Sequence, residues 1–293
     1  MEIINEINFL KKYDTENLNI EDIKNILYIF DNIDKIPYNI SNINSGIGDI
    51  LIFKNNFPNE KIYWNIKHLL DYKPFPSNLK NVVFNIQLLK KLFNKTYIYY
   101  SDNINIRTHS LLKLNYLPNL INLFDTIKLY NFKYIIFHTK LRFAKSHSKV
   151  FIKNIKLKLC DFFTKFKTKY KILLLGERKI EENLATKIIP TITTIYDECL
   201  LLKNNNDVID LTKEYMYNTP EISRFERDLG LIHNAEFNIG IGHGGQFCLN
   251  LFFSKKSIYY CPPKLINFEI ENPNIKIITN IDSFIYQCEQ SMS

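Results

Sequence analysis

The 293-residue chain reads as an α/β protein with parallel sheets, on three observations. Short, continuous runs of β-branched, aliphatic and aromatic residues, such as 171–175 and 257–260, alternate with longer segments whose apolar residues recur every three or four positions. Apolar runs of that kind are strands buried on both faces, which parallel sheets covered by helices require. Glycine is scarce, at eight residues, and falls mostly at the ends of those runs, where α/β folds place their turns.

The elements follow in order. Residues 2–34 carry Ile3, Ile7, Leu10, Ile20, Ile23, Ile26, Leu27 and Phe30 at helical spacing, which predicts two short amphipathic helices as a peripheral extension over 1–36. A β-prone run at 38–43 breaks at Ser45-Gly46-Ile47-Gly48-Asp49, and the apolar residues after it read as a helix start. Segment 79–93 reads as a helix and 96–100 as a strand.

The alternation restarts near residue 131. Strand 134–137 leads through a basic loop to a helix over 150–166, then to the buried strand 171–175 ending at Gly176. A helix at 180–189, a strand at 208–211, a helix at 222–233 and a strand at 237–241 come next. A glycine-rich turn at 242–245, a helix through 252, strands at 257–260 and 275–278 and a helix at 283–290 complete the chain. The pattern predicts two Rossmann-like βαβ domains facing a cleft, residues 1–130 on the acceptor side and 131–293 binding nucleotide.

Composition narrows the function classes. Hydrophobic residues at 46% and charged residues at 23% exclude a disordered chain, and no run of about 18 uncharged apolar residues crosses a bilayer. Acidic residues through the first thirty positions argue against a signal peptide. Five cysteines without a CxxC pair argue against a disulfide framework or zinc site, so the expected setting is cytoplasmic, with at most peripheral association with an anionic membrane. The net charge of +8 fits anionic ligands, yet Asn, Ile, Lys and Tyr are all abundant throughout, and AT-rich codon usage explains the same Lys excess. No nucleic-acid partner is expected.

Four constellations carry candidate chemistry. Gly46 and Gly48 permit close ligand approach at a strand-to-helix turn, and Asp49 is either the general base that deprotonates an acceptor hydroxyl or the cap of the next helix. Four glycines fall between Gly240 and Gly245, and Gly242, His243, Gly244, Gly245 and Gln246 lie between a strand and a helix, an arrangement that binds phosphate through free amides. Thr139, Lys140 and Arg142 follow strand 134–137 and can offset a diphosphate leaving group, or form a solvated basic loop. Gly176, Glu177 and Arg178 follow strand 171–175, where a nucleotide's ribose or base is often held. His68, His109, His147 and His233 lack metal-ligand spacing, so no metal and no cofactor are expected.

The phrase Ser45-Gly46-Ile47-Gly48-Asp49-Ile50-Leu51-Ile52, followed by Phe57-Pro58-Asn59-Glu60-Lys61-Ile62, resembles the N-terminal motif of GT-B fold glycosyltransferases. It is most similar to the heptosyltransferase-like family 9, which includes ADP-heptose:lipopolysaccharide transferases, and residues 237–260 resemble that family's donor-binding unit. The resemblance implies a metal-independent transferase moving a sugar from a nucleotide-sugar donor to a glycan or lipid-linked acceptor. It implies Asp49 as base, Lys140 or Arg142 as diphosphate contact, and Gly244 and Gly245 as the donor turn. His243-Gly244-Gly245 stands where the family carries an acidic-Ser-Gly phrase, which leaves the donor open. The alternative is a non-catalytic nucleotide- or glycan-binding module of the same fold.

Overall fold

Runs such as Ile172-Leu173-Leu174-Leu175 have no polar side to turn toward water, so they settle in the middle of a layered structure. The computed structural model describes residues 50–51, 54, 62–65, 88, 91–92, 96–99, 118–144, 146–179, 192–197, 206–215, 222–241, 256–263 and 273–292. The chain divides into two compact units, Met1–Ser110 with Thr219–Arg224, and Leu111–Asn218 with Phe225–Ser293.

In the first unit, β1 (Ile62–Asn65) pairs in parallel with β2 (Thr96–Tyr99). Ile50, Leu51 and Lys54 are helical, as are Leu88, Lys91 and Leu92, and Ile50, Leu51 and Leu88 are fully buried. The first group directly follows Gly46-Ile47-Gly48-Asp49 in the sequence, where a helix start is expected.

The second unit begins with a short 3-10 helix (Pro118–Leu123) and continues in chain order through β3 (Tyr134–His138), β4 (Lys140–Arg142), α1 (Lys149–Lys165), β5 (Lys171–Leu175) and β6 (Glu177–Lys179). It goes on through β7 (Ile192–Thr194), β8 (Val208–Asp210), β9 (Lys213–Tyr215), α2 (Ile222–Asn234, which belongs to this unit from Phe225 on), β10 (Phe237–Ile241), β11 (Ser257–Tyr260), β12 (Ile275–Ile278) and α3 (Ile281–Met292). Segment 118–130, which pattern reading leaves on the N-terminal side, packs here: Phe124 meets Phe225 edge-on at 5.6 Å, and the Asp125 amide donates to Glu226 Oε1 at 3.2 Å.

Six strands form one sheet in the order β12-β11-β10-β3-β5-β8, and every neighbouring pair is parallel. Counted along the chain from β3, this is the 3-2-1-4-5-6 order of doubly wound α/β domains. The winding reverses between β3 and β10. The fold is therefore α/β, Rossmann-like and mostly parallel.

Strand periodicity decides which side chains meet which helix. Ile135, Phe137, Ile172, Leu174, Ile239, Ile241, Ile258 and Tyr260 form one face, packed against Ile155, Leu159, Phe162 and Phe163 of α1 and Ile281, Phe284 and Cys288 of α3. The Lys-rich segment around 153–165 is thus a packing helix. Its start is capped by Ser148, whose hydroxyl accepts from the Phe151 amide at 3.1 Å. The opposite face carries Tyr134 and Asn238, which donate to the Leu231 and Ile232 carbonyls of α2 at 3.0 and 3.2 Å. Helices on both faces account for strands with no polar edge.

The basic loop expected after the first strand is in part a strand. Lys140 and Arg142 flank fully buried Leu141, a period-two pattern, and β4 pairs antiparallel with β7. β6 pairs in parallel with β9. Pattern reading leaves β1, β6, β7 and β9 unassigned; β6, β7 and β9 have three residues each and no continuous apolar run to mark them.

Candidate functional site

In a doubly wound sheet, ligands bind beyond the carboxyl ends of the strands, near the point where winding reverses. Here β3 ends at His138 and β10 at Ile241, so Thr139 and Gly242 follow directly in the sequence. Gly242, His243, Gly244, Gly245 and Gln246 lie outside the described residues, as do Gly46, Gly48 and Asp49. Thr139, Lys140, Arg142, Gly176, Glu177 and Arg178 are described, and the sheet brings them together at the adjacent ends of β3 and β5.

Gly176 makes that convergence possible. Its φ is 109°, which a residue with a Cβ rarely adopts, and a Cβ there would lie 2.9 Å from Thr139 Oγ1. The Thr139 amide donates to the Leu175 carbonyl at 2.9 Å, and its hydroxyl to the Glu177 carbonyl at the same distance. Thr194 of β7 donates to that carbonyl too, at 2.9 Å, and the Ile195 amide donates to the Thr139 carbonyl at 2.9 Å. Backbone and hydroxyls thus tie the ends of β3, β5 and β7 into a rigid edge.

Around it stand the charges. Lys140 Nζ lies 3.7 Å from Glu177 Oε1, an ion pair beyond direct hydrogen-bond reach, and Glu177 is only 4 % exposed. Arg178 donates through Nε to Thr212 Oγ1 at 2.9 Å and through Nη2 to Asp210 Oδ2 at 3.2 Å. Asp210 Oδ2 also accepts from the Tyr196 hydroxyl at 2.8 Å, and Oδ1 from the Thr212 amide at 3.0 Å. The Arg178 guanidinium sits 5.4 Å from the Tyr196 ring centre, close enough for a cation–π contact.

Thr139 and Arg178 are therefore engaged inside the protein, holding strand ends in place, while Lys140 and Arg142 share one face of β4. Thr194, Tyr196, Asp210 and Thr212 belong to the same constellation and are missing from the sequence reading. Asp210 had a signal: it ends an apolar strand, as Glu177 follows one. Thr194 and Tyr196 had none, since they enter through β7.

Asp210 collects four donors, so Asp210→Ala should cost about 2 kcal/mol in denaturant unfolding, the magnitude expected when one or two partly buried donors lose their acceptor. Asp210→Asn should retain about half of that loss. An unchanged midpoint for Asp210→Ala would show that the network does not hold the edge.

Other reactive groups nearby serve structure. Burial pushes the Cys261 thiol, just beyond β11, up to about 11, so it stays protonated and non-nucleophilic at neutral pH. Burial likewise lifts the Tyr260 phenol to about 12. His147 Nδ1 accepts from the Ala144 amide at 3.1 Å. Cys160, Cys261 and Cys288 are free thiols. Among the described residues, no group of three or more His, Cys, Asp or Glu is placed to hold a metal ion, and no helix is long and apolar enough to cross a membrane. Comparison with protein-family models, with curated proteins and with solved structures finds no match to this chain.

Proposed function

We propose that the chain is a GT-B-like, metal-independent glycosyltransferase whose second unit holds the nucleotide-sugar donor and whose first unit presents the acceptor. The observation that carries the reading is the point of reversal in the sheet. One flank, β3, runs into Thr139, Lys140 and Arg142, and the other, β10, runs in sequence into Gly242-His243-Gly244-Gly245.

The turn after β3 argues against a dinucleotide-dependent oxidoreductase. Such enzymes place a glycine-rich turn there, directly before a helix that receives the pyrophosphate. Residues 139–148 contain no glycine, form β4, and lead to a helix start capped by Ser148. The phosphate cradle then falls to the turn after β10.

In this reading Asp49 deprotonates the acceptor hydroxyl, Lys140 and Arg142 offset charge on the departing diphosphate, and the glycine turn binds donor phosphate through amides. The acceptor is a glycan or a lipid-linked hydroxyl. Thermal unfolding against UDP, GDP, ADP, CMP and dTDP, each with chelator, tests it. One nucleotide at a hundred times its dissociation constant should stabilise by about 2.7 kcal/mol, read as a shift of several degrees. No shift with any nucleotide would overturn the reading, and a shift without sugar transfer from the matching donors would leave the binding module.

A further inference from the structure

We infer that the amino-terminal edge of the six-stranded sheet is a docking surface for a bilayer rich in anionic lipid. The inference stands apart from the donor reading, which concerns the opposite ends of the same parallel strands. In the segment that leads into β3, Ile127 is 65 % exposed, Leu129 42 % and Phe132 40 %. Large apolar side chains so close together in the chain differ from the single exposed residues of an ordinary surface.

The backbone holds them in place. Gly230 of α2 admits the segment so closely that a Cβ there would stand 2.8 Å from the Ile127 carbonyl oxygen. Tyr130 stacks on Phe132 at 4.8 Å, and both rings meet buried Tyr134 edge-on. The apolar side chains thus project from a pinned segment.

Around them the edge is basic. Lys128 and Lys133 belong to the segment, Lys167, Lys169 and Lys171 to the approach and first residue of β5, and Lys256 precedes β11. The Lys171 amide donates to the Lys133 carbonyl and the Asn238 amide to the Lys256 carbonyl, so strand pairing sets these positions along one edge. Lys169 Nζ lies 5.5 Å from the Tyr170 ring centre, Lys256 Nζ 5.2 Å from that of Phe237, and the two rings meet at 6.4 Å. Among the described residues of this edge, the carboxylates are those of Asp125, Asp207 and Glu236, and the last two pair with Lys171 and Lys133. The edge keeps a positive excess.

That pattern fits a lipid surface. Lysines reach anionic headgroups on long stems while aliphatic side chains enter the acyl boundary beneath them. Single-stranded nucleic acid needs open ring faces, whereas Tyr130 and Phe132 cover each other and lysines lie over Tyr170 and Phe237. A second copy would set the basic fringe against itself.

Flotation of the full chain with vesicles tests the assignment. Wild type should bind phosphatidylcholine vesicles containing about one-third phosphatidylserine at least tenfold more tightly than phosphatidylcholine alone, and salt at about 0.5 M should remove most of that difference. Ile127→Ser with Leu129→Ser should weaken binding to the anionic vesicles about tenfold, with an unchanged unfolding midpoint because both side chains are exposed. Lys128→Glu with Lys169→Glu should weaken it at least tenfold. Wild type that binds both vesicles equally, or neither, would overturn the docking surface. Anionic binding retained in full by either double variant would place the contact elsewhere on the chain and overturn it as well. So would a wild-type dimer that Ile127→Ser with Leu129→Ser dissociates, or RNA binding, where no vesicle is bound.

Discussion

Valine at position 240 is expected to keep the second unit from folding. Gly240 lies in β10, paired with β3 on one side and opposite Tyr259 of β11 on the other. A Cβ built on Gly240 would stand 2.3 Å from Tyr259 Cε1 and 3.0 Å from Cδ1 and Cζ. No carbon pair tolerates the shorter distance, so either the ring or the strand must move. The ring is 2 % exposed and has no solvent side to swing toward, and β10 is held by neighbours on both edges.

Overpacking by a single methylene costs about 1–3 kcal/mol, and valine adds three carbons against an aromatic ring. The expected loss of more than about 3 kcal/mol is a large share of the 5–15 kcal/mol that typically holds a domain together. The variant should be insoluble, or should unfold at a much lower denaturant midpoint. Pairing it with Tyr259→Ala should recover part of the loss, with a coupling energy of about 1–3 kcal/mol in a double-mutant cycle. Gly240→Val with a wild-type midpoint would show that the Tyr259 ring is not fixed over the glycine.

On the proposed glycosyltransferase reading, asparagine at position 49 is expected to slow sugar transfer by about 10²- to 10⁴-fold, the usual share of a general base, with nucleotide affinity unchanged within about twofold. The substitution separates the two roles that the sequence allows Asp49. Ile50 and Leu51, directly after it, are helical and fully buried, which suits a helix cap as well as a base at a turn. Asparagine caps a helix about as well as aspartate, so the unfolding midpoint should not change. A lower rate at unchanged stability and affinity then reports proton transfer. Transfer at the wild-type rate would take Asp49 out of the mechanism.

Gly240 and Asp49 differ in how far local pattern reaches. Strands 171–175, 237–241, 257–260 and 275–278 were legible residue by residue, and helices 150–166 and 222–233 to within one residue at either end. Each is long enough to display its period and is bounded by glycine or polar residues. That Thr139, Lys140, Glu177 and Arg178 stand at strand ends was legible, because they follow apolar strands. Their roles were not: Arg178 is committed to Asp210, 32 residues away, and Thr139 to carbonyls beyond residue 170.

What the sequence by itself determined is which segments are strands, which are helices, and that both faces of the sheet are covered, because these depend on side chains a few positions apart. Only the tertiary structure decided the order β12-β11-β10-β3-β5-β8, and with it the place where winding reverses. It also decided the short strands β4, β6, β7 and β9, and the buried Glu177 oxygen beside Lys140. Those features arise from pairings between residues tens of positions apart. Backbone hydrogen bonds are the same whichever parallel neighbour supplies them, so only the joint packing of α1, α2 and α3 against the sheet selects one order.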